Sequence, residues 1–315
     1  PAVAACERIT RERARNFWYG LRLTPGARRA AMYVIYAWMR EADDLADAEG
    51  IAPDVRVQRI AGFRAATDAA LAGIPPVHSP VWQGLAWVAR EHSLSPKDFH
   101  DMLDGQLSDV GPASYETWDD LRAFCYRVAS TVGLVSIRVW GFDDPAAPAL
   151  AVDRGIAFQL TNILRDFRED FDMGRVYLPA EDFRRFELTP ERLRRWQSPA
   201  QCEEFMRAQC LRAEQFYARS APLDGMITPA CLPTLWAMTE IYRGIRAADD
   251  RQLDAWRCLL RIGLHWNVEV TQEGAPAGQR LSQAFCSALP VTYNSVSGSW
   301  EGFSRLVLCI SNIYF

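Results

Sequence analysis

Apolar residues recur at a helical period along almost the whole chain. No sustained alternation of period two occurs before the last thirty or so residues, and no hairpin dipeptide lies between β-branched runs there. The pattern predicts helices over about 4–20, 25–48, 53–72, 79–92, 96–108, 117–139, 146–172, 190–221, 228–248 and 252–264. Breakers separate them. Thr24, Pro25 and Gly26 open the second helix, and Gly50 with Pro53 closes it. Gly73, Pro75, Pro76 and Pro80 mark a loop. Ser95 and Pro96 form a cap with proline at the first helical position. Gly141 to Pro145 divides two long helices. No linker splits the chain and no solenoid repeat is visible. The expectation is one all-α domain over residues 1–285, followed by an atypical tail over 286–315. That tail carries only Glu301 and Arg305 as charges and is rich in Ser, Asn, Gly and β-branched residues. It reads as a short extension, a membrane- or partner-facing segment, or the product of a frame change.

Two helices break the amphipathic rule in the same way. In the second, an apolar run leads into EADDLAD over residues 41–47. Tyr36, Arg40, Asp43 and Asp47 are spaced 4, 3 and 4, which puts them in an arc of roughly 60°. Met32, Ile35 and Met39 border that arc on one side, Tyr33 and Ala37 on the other. A polar stripe between apolar flanks resembles a cavity wall more than a solvent face, although a solvated helix end also fits this segment alone. In the stretch 159–179, Gln159, Asn162, Asp166 and Asp170 are spaced 3, 4 and 4, an arc of about 80°. Ile156, Leu160, Ile163, Leu164, Phe167 and Phe171 run beside it as a docking face. Gly174 is a natural helix stop and Pro179 bars resumption.

Carboxylates this close raise one another's pKa unless a cation joins them. Facing each other, the two stripes make an all-oxygen site that suits a hard divalent ion, Mg2+ above all, because Mg2+ shares its positions with phosphate oxygens. Arg40 lies on the first stripe, and Arg165 and Arg175 flank the second. Arginine beside such a site is the chemistry of diphosphate binding. An intrahelical pair of Arg165 with Glu169 is the plainer alternative.

Composition narrows the class. The 315 residues are 49% hydrophobic and 23% charged, with a formal net charge of -4. A mildly acidic chain without a basic block is not a nucleic-acid binder. Lys97 is the one lysine, which we attribute to codon usage. The 8 cysteines make no C-x-x-C pair, and neither they nor the 4 histidines have zinc-ligand spacing, so reduced thiols are expected. No signal-peptide pattern opens the sequence and no apolar run is long enough to span a bilayer. No G-x-G-x-x-G follows a strand, so nothing in the sequence indicates NADPH.

At ARNFWYGLRLTPGARRAAMYVIYAWMREADDLAD (14–47), CYRVASTVG (125–133) and GIAFQLTNILRDFREDFDMGRVYLP (155–179) the chain resembles the squalene/phytoene synthase family, the head-to-head prenyl diphosphate synthases. The resemblance covers roughly residues 8–250, and the GRVYLP continuation is its most specific part. It implies a helical bundle of the isoprenoid synthase type around a central cavity. It also implies Asp43 and Asp47 as one Mg2+-binding pair and Asp166 and Asp170 as the other, with Asn162 and Gln159 alongside. Arg40 and Arg165 then contact diphosphate, while Phe17, Tyr36 and Tyr126 line the pocket. Ala129, Ser130 and Gly133 would let a prenyl chain pass close to their helix. Gly105 and Asp109 take a secondary role. Ala14 and Asn16 replace serines common in the family, and the basic segment that the family has after Tyr242 is not placed by this sequence.

The implied reaction joins two prenyl diphosphates through their C1 ends, with loss of a proton to the departing diphosphate or to Tyr126. The opening block and FQLTNILRD look closest to bacterial presqualene diphosphate synthases of hopanoid pathways, which use two farnesyl diphosphates. The alternative is a phytoene synthase using two geranylgeranyl diphosphates, on the way to carotenoids. Terpene cyclases and head-to-tail synthases share the metal logic, and a non-catalytic helical relative is a further reading. A cytoplasmic protein, peripheral to the membrane that holds its substrate, is expected.

Overall fold

The structure, a computed structural model, describes residues 1–14, 16–46, 51–76, 79–108, 113–245, 292–294 and 299–301. Over the described residues up to 245 the chain is helical. Helix α1 (Ala2–Arg13) is followed by α2 (Asn16–Arg22), α3 (Gly26–Ala46), α4 (Pro53–Leu71), α5 (Pro80–Glu91), α6 (Pro96–Ser108) and α7 (Trp118–Cys125). A π-helical turn, Tyr126–Ser130, leads into α8 (Thr131–Trp140) and the long α9 (Ala147–Asp172). Then come α10 (Ala180–Arg185), α11 (Pro190–Arg194), α12 (Pro199–Ser220), two 3-10 turns and α13 (Leu232–Ile245). Strands β1 (Thr292–Asn294) and β2 (Ser299–Glu301) form a small antiparallel pair. The helix expected at 252–264 and the boundary expected at 285 lie outside the described residues.

Within the described residues the expected elements hold, with four differences, the first being α10 (Ala180–Arg185), which the hydrophobic period does not predict. The helix expected over 4–20 is two: Ala14 closes α1, and the N–H of Phe17 turns back to the carbonyl of Ala14 at 2.8 Å. The helix over 117–139 is continuous in direction but passes through the π turn, which hydrophobic period alone does not reveal. The helix over 190–221 splits at Ser198, whose φ is 62°. Local chemistry fixes several starts. Ser79 accepts from the N–H of Val81 with Pro80 at the first position of α5. Thr117 and Asp120 form a reciprocal capping box on α7.

Two apolar cores hold the bundle. The first surrounds α3, where Trp38 is fully buried and donates to Thr67 Oγ1 at 3.0 Å. Its ring meets Phe63 of α4 and, edge-on, Phe99 of α6. The second surrounds α9. Ile156, Leu160, Ile163, Leu164 and Phe167 are buried against Phe205, Phe216 and Tyr217 of α12, with Phe171 partly covered at the margin. The docking face read from the period-3.6 pattern is therefore the one that packs. Helices α3 and α9 are joined chiefly through α6, the π turn and α8, which contact both or one another.

Candidate active site

Each polar stripe emerges half-buried between buried neighbours. On α3, Tyr36, Arg40 and Asp43 are partly exposed, while Met32, Tyr33, Ile35 and Ala37 are buried. On α9, Gln159, Asn162, Asp166 and Asp170 are partly exposed beside the buried face. Neither stripe is the open solvent face of its helix. Asp47 lies outside the described residues, as does Asp109.

The α3 stripe is organised by partners that the sequence did not announce. Asp43 accepts a hydrogen bond from Gln106 Nε2 of α6. The other amide atom of that side chain, Gln106 Oε1, is buried without a hydrogen-bond partner. Arg40 Nη2 pairs with Asp44 Oδ1 at 2.5 Å, and Arg13 Nη2 of α1 reaches the same oxygen at 2.9 Å. Arg40 Nε is buried and makes no hydrogen bond. Burial disfavours the Arg40 charge, but the adjoining Asp44 and Asp43 carboxylates outweigh that and raise its pKa. Burial also raises the Tyr36 phenol.

On α9, Arg165 grips its neighbour Asp166 through two bonds of 2.6 Å, rather than Glu169 one turn away. Asn162 Nδ2 points to Gln159 Oε1 at 3.4 Å. The helix ends in a Schellman motif: the N–H of Arg175 bonds to the carbonyl of Asp170 at 2.8 Å, and that of Gly174 to Phe171 at 2.9 Å. Gly174 sits at φ 79°, a conformation that favours glycine. This stop places Asp170 on the last turn and sends 175–181 alongside 113–116, where the N–H groups of Val176, Ala180 and Glu181 bond to Ala113, Tyr115 and Glu116. The GRVYLP segment is thus the strap that closes the end of α9.

The aromatic residues separate into two groups. Phe17 meets Tyr242 of α13 at 5.8 Å, and Tyr242 stacks on Phe158 of α9 at 4.4 Å. Tyr126 is elsewhere, at the start of the π turn, with its hydroxyl donating to Asp101 Oδ2 at 2.9 Å. The small residues after it have a packing role. A Cβ on Gly155 of α9 would lie 2.4 Å from Ser130 Cα and 2.9 Å from the Ala129 carbonyl carbon, and one on Gly133 would lie 3.2 Å from the Ala151 oxygen. The α9 backbone thus packs closely against Ser130 and one side of Gly133, while Ala129 and Gly133 remain partly exposed. On the opposite side, a Cβ on Gly105 would lie 2.9 Å from Arg127 Cβ and Val128 Cγ1. The π turn is held between two close approaches.

Among the described residues, no three His, Cys, Asp or Glu side chains converge as a metal cluster. The donors present are nonetheless carboxylate and amide oxygens, as a hard divalent cation requires, and Gln106 Oε1 is a buried carbonyl oxygen lacking a partner beside Asp43. The residue types fit Mg2+. Gln106, Asp44, Asp101, Phe158 and Tyr242 were not singled out from the sequence. Only Gln106, next to Gly105 in the DGQLSD segment, had a local signal. No helix among the described residues is long and apolar enough to cross a membrane, and Cys6, Cys125, Cys202, Cys210 and Cys231 are free thiols.

Comparison with known proteins identifies the fold and the family. The chain is 34% identical over 253 residues to a phytoene synthase of Arthrospira platensis, spanning 76% of this chain and 81% of that protein. It is 33% identical over 258 residues to the 15-cis-phytoene synthase of Synechococcus elongatus, spanning 78% and 82%. A ligand-bound dehydrosqualene synthase superposes with a TM-score of 0.72 at 29% identity, over 85% of this chain and 97% of that one. A squalene synthase from Alicyclobacillus acidocaldarius shares the fold, with a TM-score of 0.73 at 24% identity over 80% and 94%. The squalene/phytoene synthase profile matches residues 10–288, and with the helical isoprenoid synthase fold the chain belongs to that family of prenyltransferases.

Proposed function

We propose that this chain joins two geranylgeranyl diphosphates head to head, giving prephytoene diphosphate and then phytoene. The pair of half-buried aspartate stripes carries the reaction class, and the phytoene synthases among its relatives support the C20 substrate. This favours the carotenoid alternative over the presqualene reading that the sequence blocks first suggested. The similarity to a dehydrosqualene synthase keeps the C15 substrate as a second reading. Coupling two C20 chains to phytoene releases two diphosphates and two protons, so no reductant enters the balance.

Asp43, Asp47, Asn162, Asp166 and Asp170 are the residues we assign to hold Mg2+. When bound, the ion supplies Lewis-acid stabilisation of the departing diphosphate. Arg40, Arg165 and Arg175 are assigned to the diphosphate oxygens. Arg40 pairs with Asp44 and Arg165 with Asp166, so each guanidinium has a carboxylate partner before substrate binds. A substrate diphosphate is a stronger bidentate partner than a neighbouring carboxylate, so exchange of partners binds the substrate without baring a buried charge. Phe17, Tyr36, Phe158 and Tyr242 provide aromatic faces for the prenyl chain and the allylic cation. Tyr126 Oη is assigned to accept the proton lost as the cyclopropane closes.

The test is product analysis. Purified protein, Mg2+ and geranylgeranyl or farnesyl diphosphate are incubated without and with NADPH, and lipids are identified by mass spectrometry. C40 phytoene from the C20 substrate without NADPH is expected, and chelation with EDTA should abolish it. A C30 product from the C15 substrate alone would transfer the assignment to the second reading. No coupled product from either would remove both.

A further inference from the structure

Helix α13 brings Tyr242 to α9, and two rungs join the helices there. The first is aromatic: Phe158 of α9 and Tyr242 of α13 stack with centroids 4.4 Å apart and planes 11° apart. The second is polar: Arg154 Nη1 of α9 donates to Thr239 Oγ1 of α13 at 2.7 Å. Arg154 lies one turn before Phe158, and Thr239 one turn before Tyr242. Both rungs therefore link the same face of one helix to the same face of the other. Asn162 of the α9 stripe follows Phe158 by one further turn. The order along α9 is polar rung, aromatic pair, stripe.

The polar rung is held on every side. The Arg154 side chain is 5% exposed. Its guanidinium makes four hydrogen bonds, the other three to Ser220 Oγ at 2.8 Å, the Ser220 carbonyl at 3.1 Å and Asp224 Oδ1 at 3.0 Å. Thr239 gives its own hydroxyl proton to the carbonyl of Leu235 at 2.8 Å, which leaves its oxygen to accept from Arg154. A buried guanidinium that loses such a partner keeps a donor unmet, so the rung resists sliding. A ring stack tolerates more, because aromatic pairs attract over centroid distances of roughly 4.5–7 Å. The polar rung, not the stack, fixes how far along α9 the Tyr242 ring sits.

We infer that Arg154 is a positioning residue for the prenyl chain: through Thr239 it sets Tyr242 on Phe158, and so the aromatic face offered to the substrate. The inference rests on the role proposed above for Phe158 and Tyr242. Arg154 acts through that pair and touches no substrate atom. Asp224 balances its charge, so α13 is fixed beside an apolar site without an unpaired cation facing the allylic one.

Thr239→Val is the variant of choice. Valine keeps the shape and removes the acceptor, while Arg154 keeps Ser220 and Asp224. Calorimetry with Mg2+ compares geranylgeranyl thiodiphosphate, which carries chain and diphosphate, with inorganic diphosphate, which carries no chain. The prenyl ligand should bind about 5–10-fold more weakly and inorganic diphosphate within about 2-fold of wild type, the loss expected for one displaced aromatic contact. A merely structural role would lower the melting temperature and leave the ratio of the two affinities unchanged. Thr239→Ser keeps the oxygen and should restore the ratio. Arg154→Met breaks the rung from the other side and should show the same selective loss. So should Tyr242→Leu, and adding Thr239→Val to it should cost nothing more. If Thr239→Val does not fold, Thr239→Ala against Thr239→Ser decides on the same ratio. A wild-type ratio in Thr239→Val with Tyr242→Leu impaired refutes the positioning role alone. A wild-type ratio in Tyr242→Leu refutes the aromatic role of Tyr242 and the inference with it.

Discussion

Gly155→Ala measures how closely α9 must approach the π turn. The added methyl would sit 2.4 Å from Ser130 Cα, 2.7 Å from Ser130 N and 2.9 Å from the Ala129 carbonyl carbon. All three are backbone atoms, so no side-chain rotation relieves the overlap. Ordinary contact begins at 3.4 Å, so the two segments must part by about 1 Å. Ser130 is fully buried, and its hydroxyl donates to the carbonyl of Val152 on α9 at 2.7 Å, a bond that the same retreat stretches. Overpacking of this kind costs typically 1–3 kcal/mol, and with backbone on one side the upper figure of about 3 kcal/mol applies. At roughly 2–4 °C per kcal/mol, the thermal midpoint should drop by about 6–12 °C. Turnover should fall further than stability explains, on the order of 10²-fold, because Tyr126 moves with the π turn. Gly62→Ala on α4 is the matched control. It adds the same methyl to an exposed helix where nothing lies within 4 Å, and should stabilise by about 0.5–1 kcal/mol. Both are read by far-UV circular dichroism melting and steady-state product formation. A Gly155→Ala protein that melts within about 1 °C of wild type would refute the claim that this approach is rigid.

Three further outcomes follow from individual contacts. Gln106→Leu removes the Gln106 amide that donates to Asp43 and should raise the Mg2+ concentration needed for half-maximal binding of a prenyl diphosphate analogue by about 10–100-fold, measured by calorimetry, since supports of metal ligands carry that much. Arg154→Leu removes a buried guanidinium bonded to Ser220, Thr239 and Asp224. It should cost about 3 kcal/mol and admit protease between Ser220 and Leu232 earlier than in wild type, seen on a digestion gel. Asp182 is buried, and although burial opposes its charge, bonds from Arg212 and Gln209 lower its pKa overall. Its contribution is therefore present above the ordinary carboxylate range and lost as pH falls through the lowered value. Asp182→Asn should cost about 2–3 kcal/mol near neutrality, and urea melts at successive pH values should show its deficit shrinking in acid.

What the sequence disclosed depends on the range of each interaction. The α9 stripe and its docking face were legible because both are written at spacings of 3 and 4, which the helix converts into faces whatever surrounds it. Gly174 was legible because its Schellman bonds reach back only to Asp170 and Phe171. The partners of those faces were not. Asp43 and Gln106 are 63 positions apart, and nothing in EADDLAD says that α6 will bring an amide to it. Arg165 shows the same limit at short range: i,i+4 spacing offered Glu169, yet the half-buried stripe turned the guanidinium onto adjacent Asp166, because a charge leaving water takes the partner that leaves with it. Ala129, Ser130 and Gly133 show a limit of a different kind. Small residues announce that something comes close without saying what, and here it is the backbone of α9 at Gly155. The π turn lies at that contact. Tyr126–Ser130 is pressed by Gly155 on one side and Gly105 on the other, two glycines 50 positions apart that no single window contains. The irregular turn that carries Tyr126 is thus fixed by two helices at once, and its tyrosine can be aimed only after both have packed.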